Sequence, residues 1–344
     1  MSKARTALDE TSTTGEFKRT EAGFRSVIEK GGRFEPEAGR YHLYVSLACP
    51  WACRCLATLY LKGLDHAIGV SVTHPTWQRT RPDDPKDEHT GWVFRAPSDA
   101  PLASSTGFGS FGCEGCVPDD VNGAKFVRDL YDLAKDTTGK YSVPVLWDKK
   151  EKTIVNNESS EILRMFNSAF NDIATNPGLD LYPEPLRPAI DELNAWVYPT
   201  INNGVYRCGF ATTQAAYEAA FEELFGSLDR VEGILSRQRY LAGDSLTEAD
   251  VRLFQTLIRF DEVYVVYFKT NKRFLREYPN IAGYVRELFQ TPGLGRAVNM
   301  FHIKTHYFTS HPRLNYYAVV PRGGEAWWEQ PHDRAERFGG AKQA

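Results

Sequence analysis

Apolar and polar positions alternate, then shift period, then alternate again along the first half of the chain. Tyr, Leu and Val recur at every second place around residues 42–46, which predicts a short buried strand. From residue 50 the spacing changes to threes and fours. Leu56, Leu59 and Tyr60 give one apolar side to a helix over about 50–61, and Gly63 stops it. Residues 68–72 read as a second strand. The pattern then lapses between Thr76 and Asp120, where Pro, Gly, Ser and Asp accumulate. It returns with Phe126, Val127, Leu130, Tyr131 and Leu133 as an amphipathic helix to about residue 135. A strand follows at 143–147, its hairpin partner at 153–156, and a helix from 161 to about 170. From Leu181 onward the chain reads as helical, with 3.6-type spacing over 187–197, 214–236, 248 to about 267, and 281–289. Thr247 and Asp250 form a capping box for the third of these, with Leu246 and Val251 as its staple. No internal repeat of fixed period is visible.

The junction between the first strand and the first helix carries Cys49 followed by Pro50. Proline is favoured at the first helical position, because the N–H it lacks would be unpaired there. Cys49 therefore caps the helix, where exposed N–H groups and the helix dipole favour a thiolate, the species that attacks sulfur. The alternative is a buried structural cysteine. A strand, a cysteine at a helix start and a returning strand describe a thioredoxin-like domain. Pro144 heads a strand that is otherwise central, a place from which proline is excluded unless its peptide bond is cis. Asn157-Glu158-Ser159-Ser160 then leads into a helix, where hydroxyls and backbone N–H groups can hold a carboxylate. Mere helix capping by Glu158 and Ser159 is the competing account. The expected organisation is an α/β domain followed by an all-α domain: an arm over 1–40, a thioredoxin-like domain over 41–172 with a long insertion at about 74–122, a helical domain over 180–322, and a tail over 323–344.

Composition narrows this picture without redirecting it. The 344 residues leave room for two domains. A net charge of −3 gives no reason to expect nucleic acid or an anionic membrane as partner. No apolar run is long enough to span a bilayer, and the first residues lack the apolar stretch of a signal peptide. Aromatic residues reach 13%, a generous supply for a pocket that takes flat rings. The six cysteines are not spread as a secreted disulfide framework would be, so a reducing, cytoplasmic setting is expected. The insertion contains Cys113-Glu-Gly-Cys116. Zinc would need further ligands, and neither a second such pair nor a nearby His pair supplies them, so no metal is expected.

The order of these pieces resembles a glutathione transferase. In that family the residue before the cis-proline, here Val143, pairs its backbone with the cysteinyl part of glutathione. The Glu-Ser pair at the later helix start, here Glu158 and Ser159, holds the γ-glutamyl end. Cys-Pro-Trp-Ala at 49–52 narrows the resemblance to the glutathionyl-hydroquinone reductases, the Xi class. HPTW, GWVF, VPVLWDKK, NNESSEI, NNGVYRCGFA, YLAGDSLTEADVRLF, RFDEVYVVYFK and HIKTHYFTSH carry it from about Gly15 to Gly323. It implies that Cys49 is the nucleophile, that Trp92 packs on glutathione, and that Lys140 lies near its glycyl carboxylate. Tyr206, Tyr264 and Tyr307 match tyrosines grouped around the hydroquinone, with core or dimer packing as the alternative for each. One departure is Cys53, where the family usually has His.

The implied reaction is reductive removal of glutathione from an aromatic ring, with glutathione as co-substrate. Cys49 attacks the sulfur of a glutathionyl-hydroquinone and becomes a mixed disulfide, which a second glutathione resolves to oxidised glutathione. An Omega-type thiol transferase or dehydroascorbate reductase would use the same Cys49 chemistry. A non-enzymatic ligand-binding module would need no reason to keep Cys49, Trp92, Glu158 and Ser159 together. The resemblance also implies a homodimer paired through the helical domains.

Overall fold

The computed structural model describes Thr6 and residues 9–339; the outermost parts of the expected arm and tail lie outside the described residues. These residues form two compact units. The first contains Thr6, Asp9, Thr20–Thr175 and Ala297–Arg322, and the second Glu10–Arg19, Asn176–Arg296 and 323–339.

The first unit is thioredoxin-like. Strand β1 (Tyr41–Val45) leads into helix α1 (Pro50–Leu61) and returns as β2 (Gly69–Val72). The two-residue strands β3 (Gln78–Arg79) and β4 (Thr90–Gly91) pair within the insertion, and α2 (Val127–Leu133), β5 (Val145–Asp148), β6 (Thr153–Asn156) and α3 (Ser159–Ser168) follow. The main sheet runs β2-β1-β5-β6, with β1 parallel to β2 and antiparallel to β5. Leu43 lies opposite Val70 on one side and Leu146 on the other. Every residue of β1 is buried, as a strand at the centre of a covered sheet requires. The Val143–Pro144 peptide is cis, as the position of Pro144 ahead of β5 predicts. Bridges tie the insertion to the end of β2, from Val72 to Val117 and Thr73 to Phe94, and to the residue ahead of α2, from Val93 to Phe126.

The second unit is helical: α4 (Arg187–Val197), α5 (Gly204–Gly209), α6 (Gln214–Leu235), α7 (Glu248–Arg259), α8 (Val265–Tyr267) and α9 (Pro279–Gln290). The capping box forms at the start of α7, where Asp250 accepts from the Thr247 amide at 2.8 Å and hydroxyl at 2.9 Å. The helix expected over 248–267 is not continuous. A π-helical turn at Phe260–Tyr264 separates α7 from α8, and another at Tyr198–Asn202 separates α4 from α5.

The compact units cut the chain differently from the expected ranges. Helix α10 (Met300–Thr309) belongs to the first unit rather than the helical one, because its buried side chains pack on the insertion. Thr309 shares a hydroxyl hydrogen bond of 3.0 Å with Thr76, and the Trp77 amide donates to Ser310 at 3.0 Å. The described tail returns to the second unit with α11 (Arg334–Arg337). There the buried Arg334 guanidinium pairs with Glu287 and donates to the carbonyls of Leu235 and Gln238. Among the described residues no helix is long and apolar enough to cross a membrane. Nor does any group of three or more His, Cys, Asp and Glu among them have the placement to hold a metal ion.

Candidate active site

Cys49 is the residue at which extended backbone turns into helix α1, with φ −81° and ψ 115°. Its amide donates to Ser46 at 3.1 Å, and its carbonyl accepts from Cys53 at 2.9 Å to open the first helical turn. Its side chain makes no capping bond, so the thiol is not spent on the helix end. The half-buried Sγ instead lies 3.6 Å from the carbonyl oxygen of Val143. The expected nucleophile and the residue before the cis-proline are therefore brought together by β1, α1 and the loop into β5.

Glu158 caps α3. Its carboxylate accepts from the Ser160 amide at 3.0 Å and the Ser160 hydroxyl at 2.8 Å. So the capping account of Glu158 is true in this structure, and it leaves the carboxylate fixed at a helix start beside α1. Arg54 of α1, 2% exposed, reaches it at 3.5 Å and also lies over the Trp51 ring at 5.0 Å. Burial works to raise the Glu158 carboxyl, but the Arg54 charge and the two Ser160 bonds outweigh it and hold the group below its ordinary value. Ser159 is buried, and its carbonyl accepts from the Cys55 thiol at 3.3 Å, which ties α3 to α1. Sequence reasoning missed Arg54. Its signal was a charge inside an otherwise apolar helix, a charge that burial forces to find a partner.

Trp92 is buried in the first unit, with the edge of Trp77 at 5.4 Å and the His306 ring stacked on it at 4.5 Å and 28°. His306 donates from Nδ1 to the Pro75 carbonyl at 2.9 Å, which fixes the plane of its ring. The next residue on α10 is Tyr307, also buried, with its ring 5.3 Å from that of His306. His306 is a second residue missed from sequence, although it stands inside the HIKTHYFTSH stretch. Lys140 donates from Nζ to the Thr20 carbonyl at 3.0 Å and hydroxyl at 2.9 Å.

Tyr206 and Tyr264 lie in the second unit, their ring centres 6.1 Å apart. Tyr264 is fully buried and stacks on Phe268 at 5.4 Å and 5°. Tyr206 lies just beyond the π-helical turn at 198–202, and Tyr264 ends the one at 260–264. Such turns shift the helical phase of the residues beyond them and concentrate at functional sites. The Asn202 side chain, buried, donates to the Thr256 hydroxyl at 2.8 Å and so binds one of these interruptions to α7.

The remaining thiols differ from Cys49. Cys53 donates to the Leu47 carbonyl at 3.2 Å. Cys113 and Cys116 are the ends of a tight turn closed by a 3.1 Å amide bond, with Gly115 at φ +78°. Both are buried, and burial pushes the Cys116 thiol up to about 12. His302 donates from Nε2 to the Glu114 carbonyl at 2.6 Å, and His74 donates from Nε2 to the Gly112 carbonyl at 2.9 Å. None of the six cysteines is in a disulfide.

With this geometry in place, comparison with known proteins is specific. Residues 48–169 match the glutathione S-transferase N-terminal domain, and residues 214–287 match the C-terminal domain. The chain is 44% identical to the glutathionyl-hydroquinone reductase YqjG of Escherichia coli, over 97% of each chain. It is 45% identical to the glutathionyl-hydroquinone reductase PcpF of Sphingobium chlorophenolicum, over 92% of each. Among solved structures, the glutathione transferase Xi of Phanerochaete chrysosporium aligns with a TM-score of 0.81 at 50% identity, covering 91% of this chain and 94% of that one. The glutathione-bound structure of YqjG aligns with a TM-score of 0.82 at 43% identity, covering 92% and 97%. The chain belongs to the Xi class of glutathione transferases, the glutathionyl-hydroquinone reductases.

Proposed function

We propose that this protein is a glutathione-dependent reductase that releases hydroquinones from their glutathionyl conjugates, with Cys49 as nucleophile. The observation that carries this reading is identity of 44–45% over at least 92% of both chains to two glutathionyl-hydroquinone reductases. The half-buried Cys49, held at a helix start against Val143, supplies the chemistry that reaction needs. The Cys49 thiolate attacks the glutathionyl sulfur and the carbon–sulfur bond breaks. The hydroquinone departs with a proton added to its ring, and Cys49 is left in a mixed disulfide. Glutathione attacks that disulfide, forming oxidised glutathione and regenerating the thiol.

Glutathione is held by Trp92, Lys140, the Val143 backbone, Glu158 and Ser159. Glu158 receives the ammonium, which a carboxylate held in its charged form by Arg54 is suited to do. Tyr206, Tyr264 and Tyr307 line the hydroquinone, with Tyr206 and Tyr307 donating to its oxygens. Incubation of the purified protein with glutathionyl-menadiol and glutathione, followed by chromatography, tests the reading. Menadiol and oxidised glutathione are expected in equal amounts, and an unchanged conjugate rejects it. Thiol transfer from mixed disulfides is a second activity of the same cysteine. It is favoured by 42% identity to a protein named glutathione S-transferase omega-like 2 in Schizosaccharomyces pombe.

The protein works as a homodimer paired through helices of residues 180–320, in the cytoplasm. Tyr316, Tyr317 and Val319 are more than half exposed in the single chain, which supports a partner for that stretch. Light scattering at micromolar concentration distinguishes the dimer from a 38.9 kDa monomer.

A further inference from the structure

The residues just ahead of the sheet unit form a clasp on the helical unit. Ser12 donates to Glu16 and Lys18 donates to Glu10, each at 2.8 Å, so residues 10–18 close on themselves as a small hairpin. Its tip docks where α6 begins. The Thr212 amide donates to Gly15 at 3.0 Å, and the Thr213 hydroxyl donates to Thr14 at 3.0 Å. Gly15 sits at φ +86°, and a Cβ there would meet Thr213 at 2.6 Å, so only glycine fits. Past the tip, Phe17 is buried with its ring 5.3 Å from Phe210 and 6.4 Å from Tyr206. Arg19 ends the clasp. Its Nε donates to the Asn203 side-chain oxygen at 3.1 Å, and its guanidinium carbon lies 5.0 Å from the centre of the Tyr206 ring.

This arrangement exceeds what a structural clasp needs. Gly15 and Phe17 already secure the hairpin. Arg19 adds a guanidinium that bridges two rings, 5.2 Å from the centre of Phe17 and 5.0 Å from that of Tyr206, with its Nε on Asn203. A cation over a phenol favours any negative charge that develops at its oxygen or beyond it.

We propose that Arg19 is a positioning residue for Tyr206 in hydroquinone release, holding the ring in place and stabilising the oxyanion of the departing hydroquinone through it. This rests on the reading of Tyr206 as a hydroquinone contact. The electron count shows where the charge arises. In the ring tautomer that carries the added proton, Cys49 bonds to the glutathionyl sulfur as the carbon–sulfur bond breaks. The pair from that bond passes into the ring and ends on a ring oxygen. The ring gains two electrons, the two sulfurs lose two in becoming a disulfide, and one proton on the oxygen yields hydroquinone. A cation held over the ring of a tyrosine that donates to that oxygen lowers the barrier in proportion to the charge the oxygen carries.

The experiment compares full-length wild type, R19Q, R19K and Y206F on glutathionyl-menadiol, on glutathionyl-trichlorohydroquinone, and on the mixed disulfide of glutathione with 2-mercaptoethanol. The disulfide uses Cys49 but has no departing ring. R19Q is expected to lose roughly tenfold in kcat on the menadiol conjugate. It should lose distinctly less on the chlorinated one, whose more acidic oxygen needs less help, and change the disulfide reaction by less than about twofold. R19K, which keeps the cation, recovers part of the loss. Equal losses by R19Q on all three substrates would reduce Arg19 to a structural clasp and overturn the proposal, as would no loss at all. If Y206F slows hydroquinone release while R19Q does not, the Arg19 inference alone fails. If Y206F leaves release unchanged, the reading of Tyr206 fails and the proposal with it.

Discussion

Cys49 stands half-buried where a strand turns into α1, while Cys113 and Cys116 stand buried at the two ends of a turn in the insertion. As motifs the order of interest is reversed, since Cys-x-x-Cys is the better-known redox signature and a single Cys-Pro is the plainer one. Surroundings decide between them. Around Cys49 the chain supplies a helix start, partial exposure and the Val143 carbonyl at 3.6 Å. Around the turn it supplies desolvation, which pushes both thiols up, and two histidines spent on holding loop carbonyls. A thiol surrounded in this way is a small apolar side chain. On the proposed reading of Cys49 as nucleophile, access and a helix start, not motif, set the reactive cysteine apart from the packed pair.

The sharpest test of this contrast removes the thiols in turn. Cys49→Ser is expected to lower hydroquinone release by at least about 10³-fold, the usual consequence of losing a nucleophile. Cys113→Ser with Cys116→Ser is expected to keep turnover within about threefold, because neither sulfur has the exposure that attack on a substrate demands. Mass spectrometry of trapped turnover should find the glutathione adduct on Cys49. An adduct on Cys113 or Cys116 would break the contrast.

The next effect is at the helix start alone. Glu158→Gln keeps the shape that accepts from Ser160 but removes the charge beside Arg54. Loss of a charge-assisted bond to an ammonium should raise the half-saturating glutathione concentration roughly 10- to 100-fold, with a smaller change in kcat. Alkylation of Cys49 by iodoacetamide, which needs no glutathione, should proceed at nearly the wild-type rate. An unchanged glutathione dependence would mean that Glu158 only caps α3.

Much of this first unit could be read along the chain because its signals are local. A strand, Cys49-Pro50, a proline that must be cis and a capped helix each announce themselves within a few residues. What could not be read depends on contacts distant in sequence. Arg54 is recognisable only once α3 brings Glu158 to it, 104 positions later. Helix α10 has the same periodicity whichever unit it joins, and the matter is settled only by contacts distant in sequence, such as the Thr309–Thr76 hydroxyl bond and the bond that the Trp77 amide donates to Ser310. The two π-helical turns leave no periodic trace, since one extra residue in a helix is small against the scatter of apolar positions. Trp92 was legible as a residue to watch, but its His306 backing was not, because stacking partners share no spacing rule.

The turn itself offers a third test, through pH. Burial holds His302 down to about 4, so the folded protein keeps it neutral while the unfolded chain takes up a proton below its ordinary value near 6.5. Stability from this source is complete above pH 6.5 and is lost as the pH falls towards 4. At pH 5 the loss is on the order of 2 kcal/mol. His302→Gln can keep the bond to Glu114 and does not titrate. Its urea midpoint should therefore fall less than that of wild type between pH 7 and pH 5. Equal falls would show that His302 is already accessible to protons, and that the turn is less sealed than its burial indicates.

The smallest expected effect concerns the thiol nearest to Cys49. Cys53 lies four residues on, so it shares a helix face with Cys49, and its spacing invites a role in resolving the mixed disulfide. Two observations argue otherwise. Its side chain has no exposure, and its Sγ is directed at the carbonyls of Leu47 and Ser46, at 3.2 and 3.7 Å, on the loop that delivers Cys49. A disulfide between residues four apart on one helix would also have to bend the backbone to reach bonding geometry. Cys53 is thus a prop for the loop. Serine offers the same donor on a shorter bond, so Cys53→Ser should cost no more than about threefold in turnover and about 1 kcal/mol in stability. The accumulation of the Cys49–glutathione adduct should be unchanged when glutathione is limiting, because no intramolecular thiol competes for it. If the adduct accumulates several-fold more in Cys53→Ser than in wild type, Cys53 does resolve it, and the division between one reactive thiol and a set of packed ones would have to be redrawn inside α1 itself.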